Sequence, residues 1–145
     1  MTGMTIQCAG NRTAMATLSK LLTNMPADRQ PVTGAVAALA VVAAELSAMI
    51  RHAKSTAQLG AVRGSANADG DDQKKLDVLA DEMIATALAD CVGVAAYLSE
   101  ERDAAMALDD GGDVVVASDP LDGSSNIDAN VSIGTIFSIL PAAGG

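Results

Sequence analysis

The apolar stripe in the first half of this chain constrains its fold more than any other feature. Between residues 33 and 54, Val36, Leu39, Ala40, Ala43, Leu46, Met49, Ile50 and Ala53 recur at spacings of three and four. That spacing puts them on one side of an α-helix and demands a partner for that side. Thr33 can cap the start, and Pro31 lies just upstream. A shorter helix is predicted over residues 13–24, ended before Pro26. A third is predicted over 75–90, where Leu76, Leu79, Met83, Ile84, Ala87 and Leu88 share a face. Strands are predicted over 91–98, 114–118 and 131–140, the last β-branched and apolar on both faces. Helices first and strands late imply an α+β, layered helix/sheet fold. Residues 55–72, rich in Gly, Ser, Asn and Asp, read as a long loop.

Composition decides how thick the core can be and which partners are excluded. The chain has 29 alanines, one tyrosine (Tyr97), one phenylalanine (Phe137) and no tryptophan. Such a core is thin, because aromatic side chains bury the most area per residue. The uncharged Ala-dominated run of residues 30–44 is shorter than the roughly 20 residues of a membrane span. The N-terminus has no basic start followed by an apolar run, so neither a signal peptide nor a membrane partner is expected. Two cysteines, Cys8 and Cys91, make no disulfide scaffold, and the cytoplasm is the expected compartment. A net charge of −9 with only nine bases, and no run of aromatic rings, argues against nucleic acid.

The charge is unevenly placed. Residues 69–128 carry sixteen of the 18 acids and three bases, Lys74, Lys75 and Arg102. Three acidic clusters lie at ends of predicted elements: Asp71, Asp72 and Asp77; Glu100 and Glu101 after Ser99; and Asp119-Pro120-Leu121-Asp122-Gly123-Ser124-Ser125-Asn126. Carboxylates at the carboxyl ends of neighbouring strands face one crevice. Hard divalent cations take such oxygen ligands, with substrate phosphate completing the shell. In the third cluster, Asp119 and Asp122 are expected to flank a tight turn, with the Leu121 carbonyl left to coordinate. Gly123, Ser124 and Ser125 then offer N–H groups and hydroxyls at a helix start, where a phosphate is favoured. An Asx turn with a helix cap is the structural alternative. An acidic metal-binding interaction module is the alternative of another functional class. No phosphate loop of the nucleotide-triphosphatase kind occurs. An EF-hand loop centred on Gly70 would start at Ser65 and end at Leu76, neither of them an acid. His52, the sole histidine, is expected on the surface near the end of the long helix, and most of the seven methionines in the core.

The stretch DPLDGSSNID, preceded by SEE and by Gly70-Asp71-x5-Asp77 within GDDQKKLD, resembles class I fructose-1,6-bisphosphatase. The similarity runs from about residue 21 to 140 and is strongest from 64 onward. Inositol monophosphatases, in the wider lithium-sensitive superfamily, usually have Thr-Thr or Thr-Ala after the Gly. Sedoheptulose-1,7-bisphosphatase, the nearest competitor, usually departs at Asn126-Ile127. The resemblance implies the N-terminal half of a sugar-phosphatase fold and hydrolysis of fructose 1,6-bisphosphate to fructose 6-phosphate. It implies two or more Mg²⁺ per site, held by Glu100, Asp119, Asp122 and the Leu121 carbonyl. Asp77 and Glu101 would lie near the attacking water, and Asp71 would be the acid on a mobile loop. Asp122, Gly123, Ser124 and Ser125 would contact the 1-phosphate. It further implies a cytoplasmic homotetramer acting in gluconeogenesis or carbon fixation. The family is roughly twice this length, so residues 1–145 are expected to be an incomplete unit, inactive alone, without the sugar and 6-phosphate pocket. Where AMP-inhibited members carry a Thr-Gly-Glu-Leu-Thr-like segment, this chain reads Gln30-Pro31-Val32-Thr33-Gly34, so no AMP control is expected.

Overall fold

The apolar stripe is the spine of the fold in a computed structural model, which describes residues 17–60, 68–124 and 132–142. A short helix α1 (Leu18–Thr23) is capped by Thr17, whose hydroxyl accepts from the Lys20 N–H at 3.4 Å. A 3₁₀ turn, Ala27–Arg29, leads into the long α2 (Gln30–Gly60). Ala35, Leu39, Val42 and Leu46 form its buried line. Helix α3 (Ala68–Ala89) answers it with Ala80, Ile84, Ala85 and Leu88, and both helices lie against one face of a sheet.

Helices reach further into the region read as a loop than the composition suggested. Residues 55–60 continue α2, residues 68–72 open α3, and 61–67 lie outside the described residues. No proline interrupts the chain there, so the helix runs on to the first glycine, Gly60. Asp69, Asp71 and Asp72 fall at the start of α3. On length and hydropathy alone, Ala27–His52 would suit a membrane span (mean hydropathy 1.9). Its Leu39, Val42 and Leu46 are instead committed to the protein core.

The sheet has the order β2-β1-β3-β4, formed by β1 (Val94–Ser99), β2 (Met106–Ala107), β3 (Val114–Asp122) and β4 (Gly134–Pro141). Strand β1 starts later than predicted, because residues 91–93 are spent turning the chain off α3. The two-residue β2 has no sequence signature and was not expected. It pairs antiparallel with β1 on the path to β3, so the parallel β1–β3 pair is joined without a crossover helix. Strand β4 is antiparallel to β3 at the sheet edge. Val116 and Ile139 face the helices, while Ile136 and Leu140 on the other face are 58% and 53% exposed. Among the described residues the sheet is therefore covered on one side only.

Candidate active site

Parallel pairing dictates where the acids meet. Ser99 of β1 lies opposite Ser118 of β3, so Glu100 and Glu101 emerge beside Asp119. The Glu100 N–H donates to the Ser118 carbonyl at 3.1 Å and extends the ladder by one residue. The Glu101 N–H donates to Ser99 Oγ at 3.2 Å, turning the chain away from the sheet.

Strand β3 corrects one expectation at this edge. Asp119 and Asp122 do not flank a tight turn; the strand continues through both. Asp119 pairs with Ile136 and Asp122 with Gly134, so Pro120 and Leu121 together oppose Thr135 alone. This is a β-bulge, the place where a central strand can hold a proline. The Thr135 hydroxyl donates to the Pro120 carbonyl at 2.9 Å and secures it. Pro120 and Leu121 are both buried, which shifts the alternation by one and leaves Asp119 and Asp122 both away from the core. The Leu121 N–H donates to Asp119 Oδ1 at 3.1 Å. Gly123 then takes a positive φ of 82°, which few other residues adopt without strain.

Helix α3 brings a second set of carboxylates to the same edge. Asp77 and Asp81 continue the stripe of Ile84 and Leu88 toward the helix N-terminus. The Ser124 hydroxyl donates to Asp77 Oδ2 at 3.1 Å, while Asp77 Oδ1 is buried with no partner. Asp81 is 4% exposed and pairs with Arg102 Nη2 at 2.6 Å. Asp81 Oδ1 accepts from the Tyr97 hydroxyl at 3.1 Å, and Tyr97 and Ser118 share a hydrogen bond of 2.8 Å. Burial pushes the Tyr97 phenol above its ordinary pKa.

The electrostatic result is a surplus of negative charge. Loss of hydration, then the charges of Asp77, Glu100, Asp81 and Asp119, hold the Glu101 carboxyl above the usual carboxylate range. A carboxylate set of this kind, with one buried oxygen unpartnered, suits a hard divalent cation. Among the described residues, no three His, Cys, Asp or Glu side chains stand close enough to enclose an ion. A shallow cavity of about 300 Å³ opens at this edge, lined in part by Glu100, Asp119, Leu98 and Ile136. A larger groove of about 610 Å³ runs between α2 and α3, but none of the strand-end acids lines it.

Of the residues singled out by sequence, the structure brings Glu100, Glu101, Asp119, Asp122, Asp77 and Ser124 to one edge of the sheet. Leu121 turns its side chain into the core and Gly123 makes the turn. Asp71 lies within α3 rather than on a loop, and its side chain is outside the described residues, as is Ser125. The helix start expected after Gly123 reaches only Ser124 before the description stops. Sequence reasoning missed Asp81, Tyr97, Arg102 and Ser118. The available signals were Asp81 four residues after Asp77 on one helix face, and Arg102 as the one base between residues 76 and 128.

Comparison with known proteins identifies the family and the fold. Residues 16–144 match the family model described as "Fructose-1-6-bisphosphatase, N-terminal domain". The class 1 fructose-1,6-bisphosphatase of Paracoccus denitrificans is 55% identical over 117 residues, covering 79% of this chain and 34% of the relative. That of Azorhizobium caulinodans is 50% identical over 120 residues, covering 79% of this chain and 36% of the relative. The crystal structure of Leishmania major fructose-1,6-bisphosphatase in holo form superposes with a TM-score of 0.69 at 29% identity. That match covers 88% of this chain and 38% of the Leishmania chain. The chain thus spans about a third of the length of the curated relatives it matches.

Proposed function

The chain belongs to the fructose-1,6-bisphosphatase family, and on that premise we propose that it is the metal- and 1-phosphate-binding portion of an enzyme hydrolysing fructose 1,6-bisphosphate to fructose 6-phosphate and phosphate. The observation that carries this reading is the meeting of two parallel strand ends, Glu100–Glu101 and Asp119–Asp122, with Asp77 of α3 bonded to Ser124 beside them.

Glu100, Asp119, Asp122 and the Leu121 carbonyl are the oxygens that would hold the cations. When bound, the ions, proposed as two or more Mg²⁺, acidify water and neutralise phosphate charge. Glu101, next to Glu100 on the same turn, is the carboxylate assigned to take up a proton. Asp77 Oδ1, buried and without a partner, is an acceptor able to orient a water. The N–H groups after the Gly123 turn, Ser124's among them, with the hydroxyl of Ser125, are donors of the kind a phosphate ester requires, while the Ser124 hydroxyl is held by Asp77. Asp71, near the start of α3, is assigned as a further acid of the site. The reading extends to a cytoplasmic homotetramer of the longer enzyme.

The test joins this chain to the remaining two thirds of the Paracoccus denitrificans relative and measures Mg²⁺-dependent phosphate release. Preference for fructose 1,6-bisphosphate supports the reading. Equal or greater turnover of sedoheptulose 1,7-bisphosphate reassigns the substrate, and activity on inositol phosphate alone defeats both. Calorimetry on the 145-residue chain separates a phosphatase site, where Mg²⁺ and phosphate binding are coupled, from an interaction module, where they are independent.

A further inference from the structure

We propose that Arg102, anchored through Asp81 to the Tyr97–Ser118 pair, is a positioning residue that clamps the Glu100–Glu101 turn against α3. Its consequence for cation binding rests on the function proposed above; the clamp itself does not.

The network joins three regular elements to one irregular segment. Asp81 belongs to α3, Tyr97 to β1 and Ser118 to β3, whereas Arg102 lies in the connection directly after Glu101. The proton count orients the bonds. Tyr97 has one hydroxyl hydrogen and gives it to Asp81 Oδ1, so Ser118 must donate to Tyr97. Asp81 Oδ2 is then left for the guanidinium, 2.6 Å from Nη2. Every oxygen of Asp81 is used, and the guanidinium carbon lies 6.0 Å from the centre of the Tyr97 ring.

The turn has a reason to need holding. Glu101 stands among like charges, Asp77 and Asp81 of α3 as well as Glu100 and Asp119, and their repulsion works to loosen the turn. Three backbone contacts oppose this: Glu100 N–H to Ser118 O, Glu101 N–H to Ser99 Oγ, and Arg102 N–H to Ser99 O at 3.2 Å. All three end on β1 or β3, and none reaches the helix layer. Among the described residues, the Arg102–Asp81 pair is what ties the turn to α3, which also carries Asp77. Burying two charges costs desolvation that their attraction repays only in good geometry, so the pair is better explained by placement than by stability.

Two measurements on the 145-residue chain test the clamp. The first, without metal, is amide hydrogen exchange in Arg102→Ala and in Tyr97→Phe, the latter isosteric and expected to fold. Both should speed exchange at Glu100, Glu101 and Arg102 by about tenfold while β4 amides keep their rates. Unchanged exchange at the turn in both variants overturns the proposal. The second is calorimetric titration with Mg²⁺. A clamp predicts weaker binding in Arg102→Ala, by about tenfold, with partial rescue by Arg102→Lys. A bystander charge predicts the opposite sign, since removing a cation from an acidic site tightens Mg²⁺ binding; that result overturns the positioning role. A wild-type chain that takes up no Mg²⁺ defeats the functional reading, and the exchange measurement then decides the clamp by itself.

Discussion

Replacing Ser124 by alanine isolates the contact that ties the end of β3 to α3. The hydroxyl donates to Asp77 Oδ2 at 3.1 Å across 47 positions of sequence, in a half-buried setting. Asp77 Oδ1 is already buried without a partner, so the variant leaves the whole carboxylate unsatisfied by protein. A hydrogen bond to a charged group contributes about 1.5–3 kcal/mol. The contact is longer than the roughly 2.5–2.7 Å of the strongest hydroxyl–carboxylate bonds, so the lower end applies, about 1.5 kcal/mol. With a urea slope of about 2 kcal/mol/M, the unfolding midpoint should fall by about 0.7 M. Asp77→Ala should cost correspondingly less in the Ser124→Ala background than in wild type, and the double-mutant cycle reads that difference. A coupling below about 0.3 kcal/mol would show that the two side chains do not hold each other, and the reasoning would fail.

Other expectations follow from the same geometry. Gly112→Ala puts a Cβ against the Ala95 nitrogen, 2.7 Å from Ala95 Cα and 2.8 Å from Val94 C, all immovable backbone. It should cost about 3 kcal/mol or more in urea unfolding, where an open position would cost only a few tenths. Glu101→Gln should stabilise the metal-free chain at neutral pH. Folding raises this carboxyl's pKa, so its ionisation disfavours the native state as pH rises above the ordinary carboxylate range. Exposure limits the gain to a few tenths of a kcal/mol; melting curves should show it at neutral pH and lose it near about pH 4. Asp119→Asn or Asp122→Asn in the joined enzyme should abolish phosphate release, and wild-type rates in either would remove that residue from the site.

What was legible in the sequence was periodic or local. The stripe of α2 showed because Leu39 and Leu46 repeat with the helix turn, and both are buried; Ala35 and Val42, outside the predicted stripe, complete the buried line, while Met49 within it is 40% exposed. Its extent did not show, because Gly, Ser and Asn beyond residue 54 signal a loop only where something stops the helix. Strand β2 is two residues held by its partner, with no pattern of its own. The bulge was hidden because Asp-Pro favours turns, and only pairing with β4 keeps that stretch extended. The strand-end acids were readable because they sit next to one another in sequence. Asp81, Tyr97 and Ser118 were not: the Tyr97 bonds span 16 and 21 positions, and an acid on a helix reads as a solvated charge until its partner is known.

The site separates its acids into two kinds, and that division carries a prediction of sign. On the helix side, Asp81 is compensated by Arg102 and Tyr97, and Asp77 accepts from Ser124. On the strand side, Glu100, Glu101 and Asp122 are exposed, and Asp119 spends one oxygen on the Leu121 N–H. Negative charge is thus fixed behind and in surplus in front. Neutralising a front carboxylate should relieve repulsion and raise metal-free stability, as argued for Glu101→Gln. Neutralising a rear one should do the reverse. Asp81→Asn strands the Arg102 guanidinium, whose Nε is already buried without a partner, and breaking a buried pair from one side costs about 3 kcal/mol. Thermal unfolding of the two variants side by side, without metal, should therefore move in opposite directions. Destabilisation by both would mean the front acids are held by contacts rather than merely tolerated, and the site would be a structural charge network instead of an anionic cradle. Opposite shifts are what a cation-binding edge requires, since stability given up in front is recovered only when positive charge arrives.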